Sequence, residues 1–140
     1  MWCGLLCLLY LLVVSVCDVA FGRIPNSVSC FFALAALAVY AVCCPSKIVP
    51  AFLCGLFFFS VFFFVALLTK GLGFGDAKMS AVVGFSSGFF KSSFALLLAS
   101  FIGVLFFSAA SCAGRRIRKI PFAPFAAVGY VLSEIFCWRF

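Results

Sequence analysis

Histidine is absent from this chain of 140 residues, and acids are scarce, with three carboxylates against ten lysines and arginines. Nine cysteines are present but no two are spaced C-x-x-C, so the usual four-ligand zinc patterns are missing and neither a structural metal nor a cofactor is expected. Cys3, Cys7, Cys17, Cys30, Cys43, Cys44, Cys54, Cys112 and Cys137 all fall in or beside apolar runs, where a thiol packs as a small hydrophobe. Charge of either sign is rare as well. Only 9% of the residues are charged while 68% are apolar, and the mean hydropathy is +1.38. A water-soluble domain of this size still needs a polar surface, and this composition cannot provide one. The expected environment is the lipid bilayer.

The net charge of +7 would suit nucleic acid only if it formed a basic stripe interleaved with aromatics on a soluble face. Instead the basic residues sit between apolar runs, so nucleic acid is not an expected partner and the charge reads as the bias that orients helices in a membrane. Met1 to Leu12 contain no Lys or Arg, the basic region a signal peptide begins with. Val14-Ser15-Val16-Cys17 faintly resembles a lipoprotein cleavage box, but Val16 is bulky where a small residue is required. The first run is therefore read as a retained helix.

Six candidate spans lie between polar breaks: Trp2 to Cys17, Ser27 to Cys44, Ile48 to Leu68, Met79 to Phe90, Ser92 to Ala113 and Ile120 to Cys137. The expected fold is an all-α polytopic bundle of about six transmembrane helices in one domain, residues 1–140. The fourth run is short enough to be re-entrant instead. Charge counting separates the two topologies. With six spans, Arg23, Lys70, Lys78, Arg115, Arg116, Arg118 and Lys119 share one side, against Lys47, Lys91 and Arg139 on the other. Removing the fourth crossing leaves five on each side, so the positive-inside bias favours six spans with the first, third and fifth connections in the cytoplasm. The phenylalanine-rich run from Phe57 to Phe64 reads as a lipid-facing helix without a function of its own.

Two of the three acids, Asp18 and Asp76, stand at helix ends on that same side. A carboxylate in or beside a membrane span is costly unless paired or wetted, which makes it a functional candidate. The plainer alternative is a boundary marker, with Asp76 as a helix N-cap. Gly71-Leu72-Gly73-Phe74-Gly75-Asp76-Ala77-Lys78 brings three glycines into five residues, freeing the backbone for positive φ and for close approach of a substrate strand. Asp18 opens Asp18-Val19-Ala20-Phe21-Gly22-Arg23-Ile24-Pro25-Asn26, where Pro25 imposes an extended residue before it and Asn26 is placed to cap the next helix.

Asp18 with Arg23-Ile24-Pro25-Asn26, followed by Gly73-Phe74-Gly75-Asp76-Ala77-Lys78, resembles the two signatures of the type IV prepilin peptidases among the GxGD aspartic proteases. Ile120-Pro121-Phe122-Ala123-Pro124-Phe125 is similar to the I-P-F-G-P-F segment of that family, with Ala123 in place of glycine. The resemblance implies an aspartic endopeptidase of the bacterial inner membrane that uses Asp18 and Asp76 as catalytic carboxylates. Gly73, Gly75 and Lys78 would support the loop, and Arg23, Pro25 and Asn26 would touch substrate. The implied partner is a prepilin or pseudopilin of a type IV pilus or type II secretion system, cut on the cytoplasmic side after a glycine, between a short basic leader and a hydrophobic helix. Longer members carry an N-terminal region with paired C-x-x-C motifs associated with methylating the product. No such motif occurs here, so methylation is not expected of this chain.

Two carboxylates sharing a site do not both ionise readily. A helix N-terminus and Lys78 near Asp76, against a helix C-terminus before Asp18, lead to the expectation that Asp76 is the base and Asp18 the acid. Arg23 and Lys78 would meet an acidic residue beyond the cut, or simply anchor helix ends at headgroups. The basic cluster from Arg115 to Lys119 is explained by orientation alone. Glu134, in the last span near the far side, is expected to be paired or to face a polar cavity and is given no catalytic part. The competing readings are another GxGD protease, of preflagellin or intramembrane type, and a non-catalytic membrane subunit or assembly factor that shares the fold.

Overall fold

The computed structural model describes residues 2–22, 24–69, 73–112 and 122–137. Arg23, Gly71, the Arg115 to Lys119 cluster, Ile120 and Pro121 lie outside the described residues. Among the described residues the chain is all-α: α1 (Trp2–Phe21), α2 (Asn26–Cys43), α3 (Ile48–Thr69), α4 (Phe74–Ser87), α5 (Phe89–Cys112) and α6 (Ala123–Cys137), with one 3₁₀ turn at Pro45–Lys47.

Local chemistry sets the ends of these helices. Nothing after Cys17 breaks a helix until Gly22, whose φ of +60° ends α1 and whose N–H closes on the Asp18 carbonyl at 2.9 Å. Pro25, extended at φ −66° and ψ 131°, is the N-cap of α2. Gly88, at φ +77°, separates α4 from α5 and lets the chain turn within one residue.

Four segments, Cys3–Phe21, Asn26–Cys43, Pro45–Leu68 and Phe89–Phe106, are long and apolar enough to cross a bilayer. The other two helices are shorter. At 1.5 Å per residue, the 14-residue α4 extends only about 21 Å. It is tolerated because it is the central helix, packed against α3, α2, α1 and α5 while α6 lies between α5 and α1. The direction of α4 is fixed by its neighbours. Its first turn lies beside the end of α1, and its last turn reaches the α1 start, where Ser87 bonds the Tyr130 hydroxyl within reach of the Gly4 carbonyl. So α4 runs from one end of the bundle to the other, as the six-span topology requires.

The core is built from Cys7, Tyr10, Leu11 and Val14 of α1, Met79, Val82 and Val83 of α4, Ala95 and Ala99 of α5, and Ala126 and Tyr130 of α6. The closest crossings use small residues, since no hydrophobic force drives helices together in lipid. A Cβ on Gly84 would lie 2.7 Å from the Phe58 ring and 3.1 Å from the Cys54 carbonyl, and one on Gly129 would run into the Ala95 carbonyl. Large apolar side chains such as Phe31, Val49, Phe64 and Leu97 point outward, as a lipid-facing surface demands. In the phenylalanine-rich stretch of α3, Phe57, Phe63 and Phe64 follow that pattern, Phe58 turns into the core, and Phe62 is half-buried against it.

Candidate active site

Three helix ends meet on one side of the bundle. Asp18 lies in the last turn of α1, Asp76 in the first turn of α4 and Ala123 at the first position of α6. Asp18 therefore does not follow its helix, as the sequence suggested, but is part of it. Three more residues, Val19 to Phe21, stay helical before Gly22 ends the helix. The turn of α1 that carries Asp18 is thereby set against α6, and the Ala123 N–H donates to Asp18 Oδ2 at 3.3 Å.

Asp76 occupies the third position of α4, with Gly73 as the N-cap. Its N–H donates to the Gly73 carbonyl at 3.0 Å. The Gly73 N–H donates in return to its carboxylate, the reciprocal half of a capping box. Asp76 is thus not the N-cap, and the turn it closes is ordered. Burial, and then the charge of Asp18, push its carboxyl up to about 6, against the smaller opposing effect of the Gly73 N–H. This reverses the expectation that the helix N-terminus and Lys78 would favour the ionised form. Lys78 is engaged elsewhere, its Nζ donating to Asn26 Oδ1 at 2.7 Å.

The two signature segments are joined side by side. Asn26 is the first residue of α2 rather than its cap, which is Pro25 with no side-chain bond, so the Asn26 side chain is free to hold Lys78 across the gap. Ile24 lies against Gly75, where a Cβ would come within 3.2 to 3.3 Å of the isoleucine side chain. The positive φ expected of these glycines is not used at Gly73 or Gly75. Gly73 has φ −74°, Gly75 is helical, and the positive-φ glycines among the described residues are Gly22 and Gly88. Gly75 provides close approach, but to Ile24 of the same chain.

Sequence reasoning attached no role to Ala123 beyond its motif, and it did not name the partners of Glu134 in a polar network at the opposite end. Lys91 Nζ lies 3.1 and 2.9 Å from the two Glu134 oxygens. The Tyr130 hydroxyl lies 3.0 Å from Glu134 Oε1 and accepts from Ser87 at 3.0 Å. The network ties α4, α5 and α6 together at the start of α1, and Glu134 is paired there, away from the aspartates.

A fold with two carboxylates brought together at converging helix ends is that of a polytopic membrane protein with a candidate acid pair. Comparison with known proteins then places it. The model of the type IV leader peptidase family matches residues 5–108, a stretch that contains both aspartates, and the chain belongs to that family. It is 35% identical over 132 residues to the prepilin leader peptidase/N-methyltransferase of Bacillus subtilis (strain 168), a match covering 90% of this chain and 52% of that protein. The chain thus spans about half the length of this relative. No solved structure matches it.

Proposed function

We propose that this chain is an aspartic endopeptidase of the bacterial inner membrane that removes the leader from prepilin-like or pseudopilin-like proteins, with Asp18 and Asp76 as its catalytic dyad. The observation that carries this reading is the convergence of helix ends: Asp18 in the last turn of α1, 58 positions from Asp76 in the first turn of α4, lies where α6 begins and accepts the Ala123 N–H. Burial and the Asp18 charge raise the Asp76 carboxyl to about 6, so it keeps its proton to a higher pH than an ordinary aspartate, as general acid–base hydrolysis by two carboxyls needs. The ionised carboxylate takes a proton from water as its oxygen attacks the peptide carbonyl. The protonated one donates to the carbonyl oxygen, and collapse of the tetrahedral intermediate releases the amine. The substrate class follows from the relative's name, and the cytoplasmic orientation from the excess of basic residues on the side of the aspartates.

The bonds from Lys78 to Asn26 and the contact of Gly75 with Ile24 support a fixed geometry for Asp76, since catalytic groups must be held within about half an ångström of the productive arrangement. The test is cleavage of a co-expressed prepilin-like substrate in membranes by the native chain and by Asp18→Asn and Asp76→Asn at matched expression. Cleavage by the native chain alone is the expected result. Unimpaired cleavage by both variants would overturn the dyad, and a native chain that cuts no prepilin-like substrate would favour the non-catalytic subunit.

A further inference from the structure

The two carboxylates are held in different ways. Asp76 takes its backbone donor from Gly73, three residues away in the same turn, so the bond is present whenever α4 begins correctly. Asp18 takes its donor from Ala123, 105 residues further along the chain, so its bond exists only when α6 is docked against α1. On its own helix Asp18 sits in the last turn, where the dipole disfavours negative charge. The start of α6 brings the opposite pole to it.

That helix start is clamped rather than loosely apposed. The Phe122 ring lies 6.1 Å from Phe62 on α3, and the Phe125 ring 5.5 Å from Phe106 on α5. Between them Ala123 is fully buried, with no side chain beyond Cβ to hold its amide away from Asp18. At the other end of α6, Glu134 and Tyr130 are bound to Lys91 and Ser87. Among the described residues, the ionisable groups around Asp18 are Cys17 on its own helix and Asp76 and Lys78 on α4. Lys78 is committed to Asn26, and α2, α3 and α6 bring no charged side chain to this end.

We infer that the backbone N–H of Ala123 is a positioning group that keeps Asp18 as the ionised, water-activating carboxylate and leaves the shared proton on Asp76. The inference rests on the dyad proposed above, and Ala123 lies outside the residues matched by the family model. It reverses the roles expected from sequence. In the reaction the proton lost by water goes to Asp18, the Asp76 proton goes to the carbonyl oxygen and the C–O bond forms; the C–N bond then breaks as the nitrogen takes the proton from Asp18, and the carbonyl re-forms by returning its proton to Asp76. The rise of the Asp76 carboxyl is consistent with this order.

Asp18 and Asp76 are the only aspartates in the chain, so aspartate-selective ¹³Cγ labelling of the full chain in lipid nanodiscs yields two resonances, which Asp18→Asn and Asp76→Asn assign. Asp18 is expected to ionise first, and the ¹⁵N-labelled Ala123 amide to follow the Asp18 transition. Ala123→Pro removes the N–H at the helix position that best accepts proline, and is expected to move the Asp18 transition, and with it the acid limb of cleavage, to higher pH. Ala123→Gly keeps the N–H and should leave both in place. First ionisation at Asp76, an Ala123 amide insensitive to Asp18, or an unmoved transition in folded Ala123→Pro would overturn the inference. If Ala123→Pro does not fold, the amide titration of the native chain decides it. None of these resonances depends on cleavage, so failure of the protease reading is detected separately, by the membrane assay.

Discussion

Replacing Asp76 with asparagine should inactivate the protein and stabilise it at the same time. The folded environment lifts this carboxyl from its ordinary 3.8 to about 6. At about 1.4 kcal/mol per pH unit, that amounts to about 3 kcal/mol. The sign follows from the direction of the shift. Below pH 3.8 the group is protonated in folded and unfolded chains alike and contributes no difference. Between 3.8 and about 6 the unfolded chain ionises while the folded one does not, so stability falls as pH rises. Above about 6 the full deficit is present. Asparagine carries no charge to desolvate and none for Asp18 to repel. The variant is therefore expected to exceed the native chain by up to about 3 kcal/mol at pH 7.5 and to match it near pH 4. Thermal unfolding in detergent micelles, followed by circular dichroism at both pH values, measures the gap. A variant less stable than native at pH 7.5, or a gap that does not close toward pH 4, would refute the reasoning.

Other expectations follow from the same geometry. Gly75→Ala puts a methyl against Ile24, while alanine also favours the helix by up to about 1 kcal/mol; cleavage should fall severalfold with little change in melting temperature. Gly73→Ala meets nothing closer than 3.7 Å at an ordinary φ and should keep its activity, so equal losses from the two glycine variants would contradict the close-approach argument. Glu134→Gln should cost about 1 kcal/mol, since the pair is partly exposed, and adding Lys91→Met should cost little more; fully additive losses in a double-mutant cycle would count against a shared interaction. Gly129→Leu drives a side chain into the Ala95 and Ala99 backbone and should cost about 1 to 3 kcal/mol or more, and an unchanged melting temperature would show that α5 and α6 are not in close contact there.

Much of the fold was legible because lipid removes choices. A chain with this few polar groups must satisfy its backbone internally, so apolar runs between breakers become helices. The span expected from Ile48 differs from α3 by one residue at its end, and the span expected from Ser27 differs from α2 by one residue at each end. The errors that mattered were at the ends of α1 and α4, where hydropathy is a poor guide. Asp18 and Asp76 interrupt apolar runs without interrupting helices, since a carboxylate in the first or last turn is compatible with helical φ and ψ. Gly22 and Gly73, rather than the aspartates, mark those ends. Asn26 was misassigned for a related reason: asparagine and proline both suit a helix start, and only tertiary structure reveals that Pro25 takes the cap while Asn26 reaches Lys78.

The candidate pair was legible as two residues on one side of the bundle but not as an electrostatic arrangement. Role assignment from sequence used only local fields: the helix on which each aspartate sits and the nearest lysine along the chain. By those terms Asp76 was favoured for charge and Asp18 was not. In the assignment proposed above, two long-range contacts outweigh them. Lys78, two residues from Asp76, is bound to Asn26, 52 residues away, and the amide that reaches Asp18 comes from the far end of the chain. Burial of Asp76 on the central helix then outweighs the Gly73 N–H that favours its ionised form. A site built where helix ends converge is governed by the dipoles and amides of whichever helices meet there. The I-P-F-A-P-F segment earns its place in the argument on this ground. Its two phenylalanines fix the start of α6 between α3 and α5, and the small residue between them exposes an amide to the carboxylate of α1. On this reasoning, changes that move the start of α6 should alter the pH dependence of cleavage before they abolish it, whereas changes confined to the Gly73 turn should act on Asp76 alone.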